Sequence, residues 1–115
     1  QSEYAPRAKQ LISDGRLRIA SSDEFISKFY CKLEIYHACA YRSIKMVRQF
    51  DEFPTLRKEA FQRASMAMTK VADQKSADAK SDANIFLRDY SEADLRSFAA
   101  ELKDEKIPNG LRVLK

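Results

Sequence analysis

Residues 22–50 read SDEFISKFYCKLEIYHACAYRSIKMVRQF, a run without a single Pro or Gly. At about 100° per residue, Ile26, Tyr30, Leu33, His37, Ala40, Ile44 and Val47 fall on one helical stripe at four-three spacing. Unbroken, such a helix is about 42 Å long. Its opposite side carries a second apolar patch of Cys31, Ile35, Ala38 and Cys39, rimmed by Lys28, Lys32 and Arg42. A helix that is apolar on two faces is sandwiched between neighbours or covers a partner with one of them. This predicts an all-α protein, a small bundle of four to five helices around a long central helix at about 22–50.

The two cysteines test that reading. Eight positions apart on a straight helix, their Cα atoms would stand about 12 Å apart, beyond the roughly 7 Å that a disulfide spans. The expectation is therefore a pair of buried free thiols on the second face. Bridging two chains is one alternative. A bond between Cys31 and Cys39 is the other, and it would require the helix to break between them.

Moving outward, Ser21 can cap that helix, with Glu24 three residues on as its capping-box partner. Before it, Pro6 suits a first helical turn, Ala8, Leu11 and Ile12 share a face, and Asp14-Gly15 reads as a stop, giving a short helix over 5–14. Residues 16–19 alternate like a strand. After the central run, Phe53-Pro54-Thr55 breaks and restarts the chain, with Thr55 as cap. Leu56, Ala60, Phe61, Ala64, Ala67, Met68 and Val71 then mark a helix at about 55–73.

Residues 74–82 are small and polar, a loop or an exposed helix end. Ile85, Phe86, Leu87 and Tyr90 mark a short fourth helix. Ser91 with Asp94 opens a fifth, through Leu95, Phe98, Ala99 and Leu102. Pro108-Asn109-Gly110 is a turn. The tail from Leu111 to Lys115 alternates, as residues 16–20 do, so those two segments are candidates to pair.

Composition agrees with helices. The 115 residues suit one domain, 1–115, and 44% apolar with 33% charged residues is globular. Two Gly and three Pro are too few for the turns of an all-β fold. No run approaches the roughly 20 apolar residues of a membrane span. Net charge is +4, with the basic and acidic residues interspersed. The first residue is Gln, so a processed or trimmed chain is expected, with the periplasm or the exterior as its compartment and the cytoplasm as the alternative.

Catalytic motifs are missing. Gly15 and Gly110 are too far apart for a Gly-rich phosphate loop. His37 and Cys39 would sit about 200° apart on a helix and form no local dyad. Glu34 and His37 have the E-x-x-H spacing of carboxylate metal sites, but only one copy of it with one His. No enzyme, metal or cofactor is expected. Met46, Met66 and Met68, with the aromatics Phe25, Tyr36, Tyr41 and Phe50 bordering the main stripe, read as core or as contact surface.

The reading that remains is a non-enzymatic module that binds another protein, of the kind of an inhibitor, immunity protein or secreted effector. Small processed helical proteins with a Cys pair include periplasmic immunity proteins and secreted effectors, a resemblance of kind that no motif carries. The expected contact residues are Lys28, Cys31, Lys32, Ile35, Cys39 and Arg42, and the partner could be a second copy of the chain. The rival is a nucleic-acid-binding regulator using Arg42, Lys45, Arg48 and Arg57, with Lys58 and Arg63 beside them.

Overall fold

The computed structural model describes residues 4–77 and 90–111, with the side chains of 76 and 77 left aside. Four helices follow one another among the described residues: α1 (Tyr4–Lys32), α2 (Tyr36–Gln49), α3 (Pro54–Ala77) and α4 (Glu92–Lys103). The all-α bundle is as expected. Residues 85–89 of the expected fourth helix and residues 112–115 of the tail lie outside the described part.

The helix expected over 22–50 is two helices. α1 ends at Lys32, and the chain turns through Leu33, Glu34 and Ile35. Ile35 N–H donates to Tyr30 O at 2.9 Å and Glu34 N–H to Cys31 O at 3.0 Å, with Glu34 at φ 63°. This is the paired closure that ends many helices in a left-handed residue, here with Glu in the place Gly usually takes. The same geometry ends α4, where Glu105 sits at φ 58° and Lys106 N–H reaches Glu101 O at 2.9 Å. Neither ending has a Gly to announce it.

Conversely, the Asp14-Gly15 stop is not used. α1 runs straight through it, and no glycine has a positive φ. One Gly inside a helix costs about 1 kcal/mol, which 29 residues of otherwise helical sequence outweigh. Ser21 therefore lies mid-helix and caps nothing. Residues 16–20 are helical as well, so no strand pairs there with the tail. Thr55 is likewise inside α3, whose first residue is Pro54, where the missing N–H costs nothing. The α4 start is as read: Ser91 Oγ accepts from Asp94 N–H at 3.0 Å.

The central helix is α3, which packs against both α2 and α4. Ala60, Phe61, Ala64, Ser65, Ala67, Met68, Val71 and Ala72 are all buried, giving α3 two narrow faces on which its neighbours close. Ile44, Met46, Val47 and Phe50 fill the α2 side, and Leu95, Phe98 and Leu102 the α4 side. Ser65 Oγ, buried between α3 and α4, donates to Ala99 O at 2.7 Å. At the foot of α4, Gly110 lets the chain pass the Phe98 ring, since a Cβ there would stand 3.2 Å from Phe98 Cε1. Of the fully buried apolar residues α1 contributes Ala20, with Tyr30 and Cys31 half-buried against the same core. The molecule measures 61 × 26 × 21 Å.

Candidate protein-binding face

The α1–α2 corner gathers most of the residues expected to bind a partner, though in a different arrangement. Cys31 and Cys39 form a disulfide with their Cα atoms 5.2 Å apart, which corrects the expectation of free thiols. The turn at 33–35 is what brings them within reach. Closing so short a loop stabilises the corner by about 2–3 kcal/mol. Cys39 is buried in the core, and Cys31 and Ile35 are half-buried around it. The Arg42 guanidinium lies over the Tyr30 ring, 5.9 Å from its centroid. Lys28 and Lys32 remain exposed on α1, Lys28 lying 3.7 Å from Glu24. The six are thus near neighbours without forming one open surface, and Cys39 offers nothing to a partner.

The other chemistry weighed in the sequence disperses. Glu34 is in the corner rather than on a helix, so it does not share a helical face with His37. No group of three His, Cys, Asp or Glu suited to a metal ion occurs among the described residues. His37 is half-buried, and that burial draws its pKa below the usual 6.5. Of the basic set, Arg57 donates to Val47 O at 2.9 Å and stacks 4.9 Å from the Phe61 ring centroid, tying the end of α2 to α3. Arg42 is engaged by Tyr30, which leaves Lys45, Arg48 and Lys58 as its exposed members.

α1 itself is the unusual element. The side it turns to the bundle runs through Arg16, Ala20, Glu24, Ser27 and Cys31. Arg63 from α3 donates to Ser27 Oγ at 3.0 Å and approaches Glu24 at 3.9 Å, while Ser27 Oγ donates to Glu24 O at 2.9 Å. Burial lowers the Arg63 pKa, and Glu24 and Glu59 oppose that shift. One turn before Ala20, Arg16 forms an ion pair with Glu52, donates to Gln49 O at 2.7 Å and lies over the Phe50 ring. The inner seam is therefore small and polar.

The apolar stripe of α1 points elsewhere. Ala8, Ile12, Gly15, Ile19, Ser22, Ile26, Phe29 and Leu33 follow one another at strict four-three spacing, roughly 120° round the helix from the inner seam. Ile12 is 64% exposed, Ile19 57% and Phe29 49%, while Ile26 is half-buried, with Leu11 (73%) and Phe25 (70%) on one flank. Among the described residues, every exposed large apolar side chain except Tyr41 and Met66 lies on α1 or at Leu33. Where α1 leaves the bundle, a shallow 280 Å³ depression opens between Leu17 and the α2–α3 corner at Glu52–Leu56. Exposed apolar surface on this scale is uncommon on a helix whose own chain covers it.

Sequence reasoning missed this face although its signal is present. Ala8, Ile12 and Ile26 belong to one phase, but a stop at Gly15 and a start at Ser21 cut the pattern in two.

A family model described as YfiO, outer membrane lipoprotein, matches residues 1–84 of the chain. No curated protein and no solved structure matches it.

Proposed function

We propose that this chain, which belongs to the YfiO family of outer membrane lipoproteins, is a non-enzymatic module that binds protein through the outer face of α1. The coarser part of the statement follows from the family: an exported, envelope-associated protein-interaction module. The disulfide supports the same compartment, because such bonds persist where thiols are oxidised. No described helix is long and apolar enough to cross a membrane.

The observation that carries the proposal is the mismatch within α1. A helix whose inner seam is polar and whose apolar stripe faces water has its larger hydrophobic gain still to make. The stripe supplies the buried centre of an interface, and Lys28 and Lys32 stand on its flank as polar rim. Inhibitor, immunity protein and secreted effector are narrower versions of this reading, and none has residues of its own behind it.

A photoreactive residue in place of Ile19, compared with one in place of the exposed Gln62 on α3, tests the face in living cells. Discrete protein adducts are expected at position 19 and few at 62. Equal yields at both, or none at 19, would remove the proposal.

A further inference from the structure

We infer that the occupant of the α1 face is a second copy of the chain, the two α1 helices packing antiparallel about a twofold axis between Ala20 and Ser21. The inference rests on the protein-binding reading of that face and narrows it to one partner. The stripe positions are not equivalent. Small residues recur every seven at Ala8, Gly15 and Ser22, and large ones every seven at Ile12, Ile19, Ile26 and Leu33.

Antiparallel and in register, the stripe meets itself as Ala8 on Leu33, Ile12 on Phe29, Gly15 on Ile26 and Ile19 on Ser22. Each layer forms twice by symmetry. Three of the four set small against large, the interdigitation that lets helices approach closely. A parallel pair would instead stack Gly15 on Gly15 and Ile19 on Ile19, so that the isoleucine layers hold the helices apart and leave a void at the glycine.

The flanks agree with this register. It brings Arg18 beside Phe25 of the other copy, and it sets no like charges opposite one another. Gly15 adds an independent sign. It weakens a helix that does not end there, yet apart from its chain neighbours and the adjoining helical backbone no atom comes within 4 Å of where a Cβ would stand. A second helix lying close against it would use that space. The open parts of Leu11, Ile12, Ile19, Phe25, Phe29 and Leu33 come to roughly 700 Å² per copy, near the ~800 Å² each partner gives to a stable interface.

Sedimentation velocity on the oxidised chain from about 1 to 200 µM reads the association directly. A species of twice 13.3 kDa is expected. Ile19→Glu should weaken it by about 100-fold or more, through an unpaired buried charge. Gly15→Leu enlarges the apolar face, yet it should weaken the dimer about 10-fold, because the new side chain takes the place of Ile26 from the other copy. Circular dichroism on each variant separates lost association from lost fold. Mixed Ile12→Cys and Phe29→Cys copies should cross-link to one another.

A dimer untouched by Ile19→Glu, tighter association of Gly15→Leu, or links only between equivalent positions would each overturn the arrangement. So would a monomer across the whole range. If that monomer still gives envelope adducts at position 19, the protein-binding reading stands without the second copy; if it gives none, both fall.

Discussion

Along α3, Phe61, Met68 and Val71 are sealed from water, whereas along α1, Leu11, Ile12 and Ile19 carry the same kind of side chain and stay more than half exposed. Both helices are amphipathic, and both patterns are regular. The difference lies in what covers them: α3 has a helix on either side, and α1 turns its stripe away from all three of its companions. Periodicity therefore tells that a helix owns an apolar face, and only the assembled fold tells whether its own chain closes over it. α1 is held instead by the Arg16–Glu52 pair, the Arg63–Ser27–Glu24 seam and the disulfide.

The widest contrast is expected from matched truncations. Phe61→Ala should cost about 3–5 kcal/mol of stability, because it opens a cavity in the core. Ile12→Ala should change stability by less than about 0.5 kcal/mol while reducing association. Urea denaturation of both variants at low protein concentration checks this. A large loss from Ile12→Ala would mean that α1 is closed by its own chain after all.

Next in size is the corner. Replacing Cys31 and Cys39 by Ser should cost about 2–3 kcal/mol, read as a lower denaturation midpoint. Because the bond spans the α1–α2 turn, hydrogen exchange should quicken most in α1 and least in α3.

Smaller and opposite in sign are two backbone exchanges. Gly15→Ala should raise monomer stability by about 1 kcal/mol, and Glu34→Gly by a similar ~1 kcal/mol through relief of a left-handed residue. Thermal melts of the single and double variants should show the gains adding, since the two sites share no contact.

The smallest effect is with pH. The folded pKa of His37 lies below its unfolded value of 6.5, so the imidazole favours folding in its neutral form. That contribution is complete above pH 6.5 and fades as the pH falls through the folded value. Glu52, lowered from 4.5 by its bond to Arg16, works in the same direction further into acid. Denaturation at pH 7.5 and 5.5 should show a slight loss at the lower pH that His37→Gln removes.

Much of α2 to α4 could be read from the sequence. Pro54 marks the start of α3, Ser91 and Asp94 mark that of α4, and the apolar residues assigned to both helices are buried as their spacing implies, with Leu56 half-buried. The α1–α2 region resisted because its two decisive residues act against their usual preferences. Gly15 continues a helix and Glu34 ends one. Nothing local distinguishes Glu34 from the other glutamates of the chain. Its left-handed turn lies inside the loop that the Cys31–Cys39 bond closes, and the same ending recurs at Glu105 without such a bond. The candidate face was hidden by the same misplaced boundary, since the phase that joins Ala8 to Leu33 is visible only if the helix passes Gly15.

The bond at the corner also sets an order of events. In a reducing compartment Cys31 and Cys39 stay as thiols, and the reversal of direction at Glu34 must be held by a strained residue and a polar seam alone. Outside it, oxidation fixes the angle at which α1 leaves the bundle. The long arm and its apolar edge thus take up their final bearing only after the chain has left the place where it was made, when its partners are within reach.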